Sequence, residues 1–218
     1  VALGFAFGSF RMRARFGSVS LLGLFLGFVL GAVFTVQGQV PPGSVPKAPA
    51  GFELTRWARE PMLRSPVALS FDNLGRLFVA ETARRSTVDI DIRAHPTWVV
   101  DDLANQSVED LRRFFRLKMS TENSVANAGW LKDLNGDGLH DWQDLTQVKE
   151  KVHRLEDSQG TGKADRATVF AEGFNEEING VIAGVMPWGD DVFVTVYPDL
   201  WRLRDTDSDG VADQKEIV

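Results

Sequence analysis

Two stretches of this chain, VHRLEDSQGTGKADRATVF and LWRLRDTDSDGVADQKEIV, align without a gap at an offset of 48 residues. At that offset Arg154 falls on Arg202, Leu155 on Leu203, Asp157 on Asp205, Gly162 on Gly210, Ala164 on Ala212 and Asp165 on Asp213. A period in the forties is the length of one four-stranded antiparallel sheet, so the repeat selects a fold of stacked small sheets. The flanking residues supply the remaining strands. Residues 67–71 alternate in polarity, Asp72-Asn73-Leu74-Gly75 turns and 76–80 return; later 181–186, the turn at Gly189-Asp190 and 191–196 do the same. Third strands are expected at 152–156 and 200–204. Fourth strands are expected at 167–171 and from Lys215 onward, each after an acidic turn.

The second unit spans about 40 residues, whereas the first holds some 65 more between Thr82 and Val152. A large insertion is therefore expected between its second and third strands, and long loops on rigid scaffolds are where function collects. It contains one well-marked helix, 108–119, with Ser107 as N-cap, Glu109 and Asp110 in the first turn, and Leu111, Phe114, Phe115 and Leu117 as apolar positions. The expected fold is mainly β: a partial β-propeller of about two four-stranded blades, with a helix-containing insertion in the first blade and an N-terminal hydrophobic helix. Val218 falls inside an expected strand and two blades do not close a ring, so the expectation is the front part of a longer protein.

Residues 16–36 form an uncharged, mostly apolar run behind Arg11, Arg13 and Arg15, the order of an export signal or a membrane anchor. Residues 1–38 are therefore read as signal peptide or anchor, 39–50 (QVPPGSVPKAPA) as a Pro-rich linker, and 51–218 as the propeller part with its insertion at 83–151. The product is expected outside the cytoplasm: periplasmic, at the cell surface, or tethered to the membrane through 16–36. Beyond the first 38 residues, 21 basic side chains face 30 acidic ones, which argues against a nucleic-acid partner. With no cysteine, the chain has no disulfide, no thiolate metal site and no covalent c-type haem. Any metal is held by oxygen or imidazole.

The sequence KDLNGDGLHDWQDL crowds carboxylates at alternate positions around glycines, a spacing that repels itself unless a hard cation is shared. Asp133, Asn135, Asp137, the Leu139 carbonyl, Asp141 and Asp144 occupy positions 1, 3, 5, 7, 9 and 12 of an EF-hand-type calcium loop, with Gly138 at position 6. A second copy fills every position: Asp205, Asp207, Asp209, Gly210, the Val211 carbonyl, Asp213 and Glu216. The copy between them is decayed, keeping Asp157, Gln159, Thr161, Gly162 and Asp165 but ending in Thr168; the alternative there is a plain Asx-rich turn. Strands rather than helices flank the repeat's two turns, so calcium is expected to pin a turn and not to open a switch.

The stretches PVALSFDNLGRLFVAET, DIRAHPTWVVDDLANQSVEDLRRFF, RLEDSQGTGKADRATVFAEGFN and YPDLWRLRDTDSDGVADQKEIV together resemble the N-terminal propeller of membrane-bound dehydrogenases abundant in planctomycetes, which look like distant kin of glucose/sorbosone dehydrogenases. The resemblance covers about 50–218. It implies a quinone-dependent sugar or alcohol dehydrogenase, with pyrroloquinoline quinone beside calcium and a c-type cytochrome acceptor elsewhere in the full-length protein. This stretch alone is expected to be inactive. On that resemblance His95 and Arg93 are the candidate catalytic residues, and Arg84, Arg85 and Glu81 would hold the quinone. The plainer readings are a loop histidine bonded to backbone, solvated loop arginines and a strand-end glutamate. A non-catalytic, calcium-stabilised extracellular propeller that binds glycan or protein is the alternative.

Overall fold

The eight expected strands form and pair as two separate meanders in the computed structural model, which describes residues 47–218. In the first sheet β1 (Pro66–Phe71), β2 (Leu77–Glu81), β3 (Glu150–Glu156) and β4 (Arg166–Gly173) lie in that order, all antiparallel. The second sheet is β5 (Ile182–Trp188), β6 (Asp191–Val196), β7 (Asp199–Arg204) and β8 (Gln214–Ile217), again in sequence order. Antiparallel neighbours joined by short turns need no crossover, which is why chain order equals spatial order. β3 starts two residues before the expected point, because Glu150 and Lys151 extend the ladder opposite Gly173 and Glu172. The expected hydrophobic helix at 16–36 lies outside the described residues. Among those described, no helix is long and apolar enough to cross a membrane.

The period of 48 is a structural equivalence. Phe78 faces Arg154 across β2 and β3, as Phe193 faces Arg202 across β6 and β7; Ala80 faces Val152, as Thr195 faces Leu200. Both first strands carry a register shift at the same point, between Pro66 and Ala68 and between Ile182 and Gly184. The sheets pack face to face through alternating apolar positions. Phe78, Ala80, Val152 and Phe170 of the first meet Val192, Val194, Val196 and Leu203 of the second, all buried. Each Val, Leu or Phe side chain taken fully from water contributes about 1.5–3 kcal/mol, so this seam is the main apolar core. The opposite face of the first sheet, with Leu77, Val79 and Leu155, is covered by Trp57, Ala58, Met62 and Leu63 from the segment ahead of β1.

The insertion between β2 and β3 holds α1 (Val99–Leu103), α2 (Val108–Lys118) and α3 (Ser124–Asn127), besides several single turns of 3-10 helix. Ser107 caps α2 by accepting the Asp110 amide, as its position predicts. Met119, Leu131, Leu145 and Val88 close a second small core inside the insertion. Its base is fastened by two buried charges. Glu150, wholly buried, accepts from the Thr82 hydroxyl (3.0 Å) and the Ala83 and Arg84 amides (3.0 and 2.8 Å) through one oxygen, and from the Ile182 amide of the second sheet (2.9 Å) through the other. Arg84, 1% exposed, donates to the carbonyls of Leu145 (2.6 Å), Val148 (2.9 Å) and Asn179 (2.8 Å). Burial pulls its pKa below the ordinary arginine value, with Glu150 and Asp89 opposing.

Candidate metal centre

The turn from β7 to β8 must reverse the chain with five carboxylates at 205, 207, 209, 213 and 216. Two of its residues adopt the left-handed backbone this requires, Ser208 (φ 66°) and Gly210 (φ 97°). Asp205 holds the turn closed: its Oδ1 accepts the Ser208 amide (2.7 Å) and its Oδ2 the Gly210 amide (2.9 Å). The Asp207 carboxylate accepts the Asp209 amide (3.2 Å), and that of Asp209 accepts the Val211 amide (2.7 Å). This backbone wrapping brings one carboxylate oxygen each from Asp205, Asp207 and Asp209 to within 4.8 Å of one another. Like charges this close repel one another, and a hard divalent cation that takes six to eight oxygens would offset the repulsion. The donor set is all oxygen, the kind a hard cation such as calcium takes, and Val211 stands at position 7, where a carbonyl would join it.

Asp213 and Glu216 are placed elsewhere. Asp213 accepts the Thr206 amide (2.5 Å) and hydroxyl (2.6 Å), which hold its carboxyl below the usual carboxylate range. Glu216 lies on β8 and pairs across the sheet with Arg202. The expected twelve-residue calcium loop is therefore gathered over its first five positions. Beside the turn, between the sheets, lies a cleft of about 760 Å³ lined by Arg76, Arg154, Asp191, Arg204, Asp205 and Thr206, among others. Arg154 crosses from the first sheet to this turn, with its Nη1 3.6 Å from Asp205.

The first acidic loop is built on the same hydrogen bonds but spends more of its carboxylates on folding. Asp133 accepts the Gly136 (2.6 Å) and Gly138 (3.0 Å) amides, and both glycines are left-handed. Asn135 and Asp137 are linked side chain to side chain (2.9 Å), and Asp137 accepts the Leu139 amide. Asp141 and Asp144 are buried. Asp141 caps the 3-10 turn Trp142–Gln147, while Asp144 accepts the amides of Leu134 (2.7 Å), Asn135 (3.3 Å) and Asp141 (3.0 Å). Among the described residues only the group at 205, 207 and 209 brings three carboxylates within reach of one metal ion.

Of the residues expected to serve a quinone, Arg84, Arg93 and Glu81 have other partners. Arg84 is the buried fastener already described, its two Nη atoms donating to backbone carbonyls. Arg93 is exposed and locked two-pronged onto Asp91 (2.8 and 2.7 Å). Glu81 accepts the Arg64 amide (2.6 Å) and lies 3.4 Å from the His153 ring, while Arg85 is solvent-exposed. His95 stacks on Trp98 with ring centres 4.1 Å apart and meets the edge of Trp130 at 4.5 Å. Burial lowers its pKa, with Asp91 opposing, so the ring is neutral at pH 7. Arg84, shut away from solvent, does not fit the carboxylates of a bound quinone.

Sequence reasoning missed the Glu150–Arg84 fastening and the inter-sheet reach of Arg154. Arg154 was visible as a repeated position; Glu150 left no signal, because its partners are 32 to 68 residues away. No curated protein and no solved structure matches the chain significantly. Residues 46–218 match the profile of a family described as a domain of unknown function, DUF7133, and the chain belongs to that family.

Proposed function

We propose that the two sheets are successive blades of a β-propeller, and that the chain is an exported, calcium-stabilised module binding glycan or protein outside the cell. The observation that carries the calcium reading is the convergence of Asp205, Asp207 and Asp209 on a turn whose backbone is already wound for a cation. The blade reading is supported by two four-stranded antiparallel meanders of equal register stacked face to face. Export is supported by the Arg-led apolar run at 16–36. Calcium acts here on stability: neutralising the three carboxylates fixes the β7–β8 turn. The test is thermal unfolding with calcium and with chelator. Saturating calcium raises the midpoint of the intact chain and does nothing for Asp209→Ala; equal midpoints in calcium and chelator would sink the reading.

A second reading, a sugar or alcohol oxidoreductase with pyrroloquinoline quinone and a c-type cytochrome acceptor, draws on the family resemblance and on one observation. His95 is a neutral imidazole set against Trp98 and Trp130, an apolar and aromatic surrounding of the kind that binds sugar rings. Dye reduction by the complete, calcium-loaded protein with added quinone and glucose, lost in His95→Ala, is its test. Failure to bind the quinone at all would remove it.

A further inference from the structure

We infer that the face of the second sheet bearing Phe193, Leu200, Arg202 and Val218 docks a further four-stranded unit of the same repeat, and that Arg202 is the side chain seated against that unit's acidic turn. The inference rests on the reading of the two sheets as successive blades. It is read from the one interface of this kind that is already made.

Across that interface Arg154 of β3 lies over Gly210 of the next unit's turn. A Cβ at Gly210 would meet its Nη2 at 2.6 Å and its Cζ at 2.9 Å, and Asp205 of the same turn is 3.6 Å from its Nη1. A glycine is thus needed twice at 210, for its left-handed backbone and for the room the guanidinium takes. One strand outward, the Ala212 amide donates to the Phe170 carbonyl (2.7 Å), joining β4 to the following unit. Moving each docking residue on by 48 gives Leu200 for Val152, Arg202 for Arg154 and Val218 for Phe170, with Phe193 matched to Phe78 by register. The two sets differ in cover. Val152 is fully buried and Phe170 3% exposed, while Leu200 is 40% and Val218 69% exposed. The Arg154 side chain is 13% exposed and that of Arg202 40%, resting meanwhile on Glu216, where the first unit has Thr168.

The front of the first sheet argues against a second copy of the chain as the occupant. Trp57, Met62 and Leu63 already cover that face, and the Trp57 carbonyl accepts the Ala164 amide (2.8 Å) just as Phe170 accepts Ala212. The segment ahead of β1 stands in for the outer strand of a preceding unit. A head-to-tail partner would have to displace it, so the occupant is a repeat unit that brings its own acidic turn and apolar face.

The test extends the full chain by repeating residues 171–218 once after Val218, which keeps the period unbroken. Limited proteolysis and hydrogen exchange then read the added unit and the β8 amides. Docking slows cleavage of the added unit and exchange in β8 at least about tenfold relative to an unstructured tail, and Arg202→Glu in the extended chain removes both protections. In the unextended chain Arg202→Glu sets two glutamates opposite each other across β7 and β8 and lowers the midpoint modestly, while unchanged exchange in β5 and β6 shows that the fold is intact, and protection in the extended variant is counted relative to this chain. Protection that survives Arg202→Glu would overturn the role of Arg202 while leaving the stacking of blades standing. No protection in the extended chain would overturn the docking face and the blade reading together. Sedimentation of the unextended chain as a dimer that Arg202→Glu dissolves would assign the face to a second copy and overturn the occupant inferred here.

Discussion

The turn at 157–165 and the turn at 205–213 have one skeleton and two surfaces. In each, the first aspartate holds the amide of the glycine at position 6: Asp157 that of Gly162 (2.6 Å), Asp205 that of Gly210 (2.9 Å). In each, the aspartate at position 9 accepts the amide and hydroxyl of position 2, Asp165 from Ser158 and Asp213 from Thr206. Positions 4 and 6 are left-handed in both, at φ 65° and 78° for Gly160 and Gly162, and at 66° and 97° for Ser208 and Gly210. What differs is positions 3 and 5, Gln159 and Thr161 against Asp207 and Asp209. The residues kept by the repeat are those that fold the turn, and those that vary set how many carboxylates it presents. Conserving an aspartate within a repeat is therefore not by itself a sign of metal binding.

The largest expected effect breaks the symmetry of the two glycines. Gly162→Ala strains one left-handed residue in open space and costs about 1 kcal/mol. Gly210→Ala adds a collision with Arg154 and costs about 2–3 kcal/mol, read by chemical denaturation. Equal losses would show that Arg154 simply moves aside. Next in size is transfer of the cation site. Gln159→Asp with Thr161→Asp rebuilds the missing carboxylates on the existing skeleton, so calcium should then stabilise the first turn by up to about 2.7 kcal/mol at a hundredfold excess over Kd. An unchanged calcium response would mean that the skeleton alone does not make a site.

Acid should act on both turns alike. Backbone hydrogen bonds from Thr161 and Gly162 hold Asp157 below the ordinary carboxylate pKa; the Ser158 amide and hydroxyl do so for Asp165, and the Thr206 hydroxyl and amide for Asp213. A folded-state pKa below the unfolded one, about 3.9, gives stability that is complete above that value and is lost as pH falls through the folded one. Below about pH 4 exchange should therefore quicken in both turns together, while calcium protection of the second is lost at higher pH than its skeleton. The smallest effect is Ser208→Gly. Relief of a left-handed serine, about 1–2 kcal/mol, is mostly offset by the freedom glycine gains when unfolded, leaving a net change of less than about 1 kcal/mol.

Local patterns were legible because each strand, cap and turn is determined by residues close in sequence. The register of 48, the alternation at 191–196 and the Ser107 cap all reappear in the structure within a residue or two. Long-range commitments were not. Nothing near Arg84 in the sequence distinguishes a cofactor-binding arginine from one that donates to carbonyls 61 to 95 residues away. Likewise Asp141 and Asp144 have the spacing of ligands, and only the fold turns them inward to cap a helix and hold the amides of Leu134 and Asn135. Glu216 was drawn out of its loop by a cross-strand arginine. Spacing identifies oxygen donors; packing decides what they bind.

The most direct test of the account is calorimetric titration of calcium into the intact chain and into Asp209→Ala and Asp137→Ala. The account predicts saturable binding that Asp209→Ala abolishes at the β7–β8 turn and that survives in Asp137→Ala. Binding lost in Asp137→Ala but retained in Asp209→Ala, or no heat from the intact chain, would contradict it.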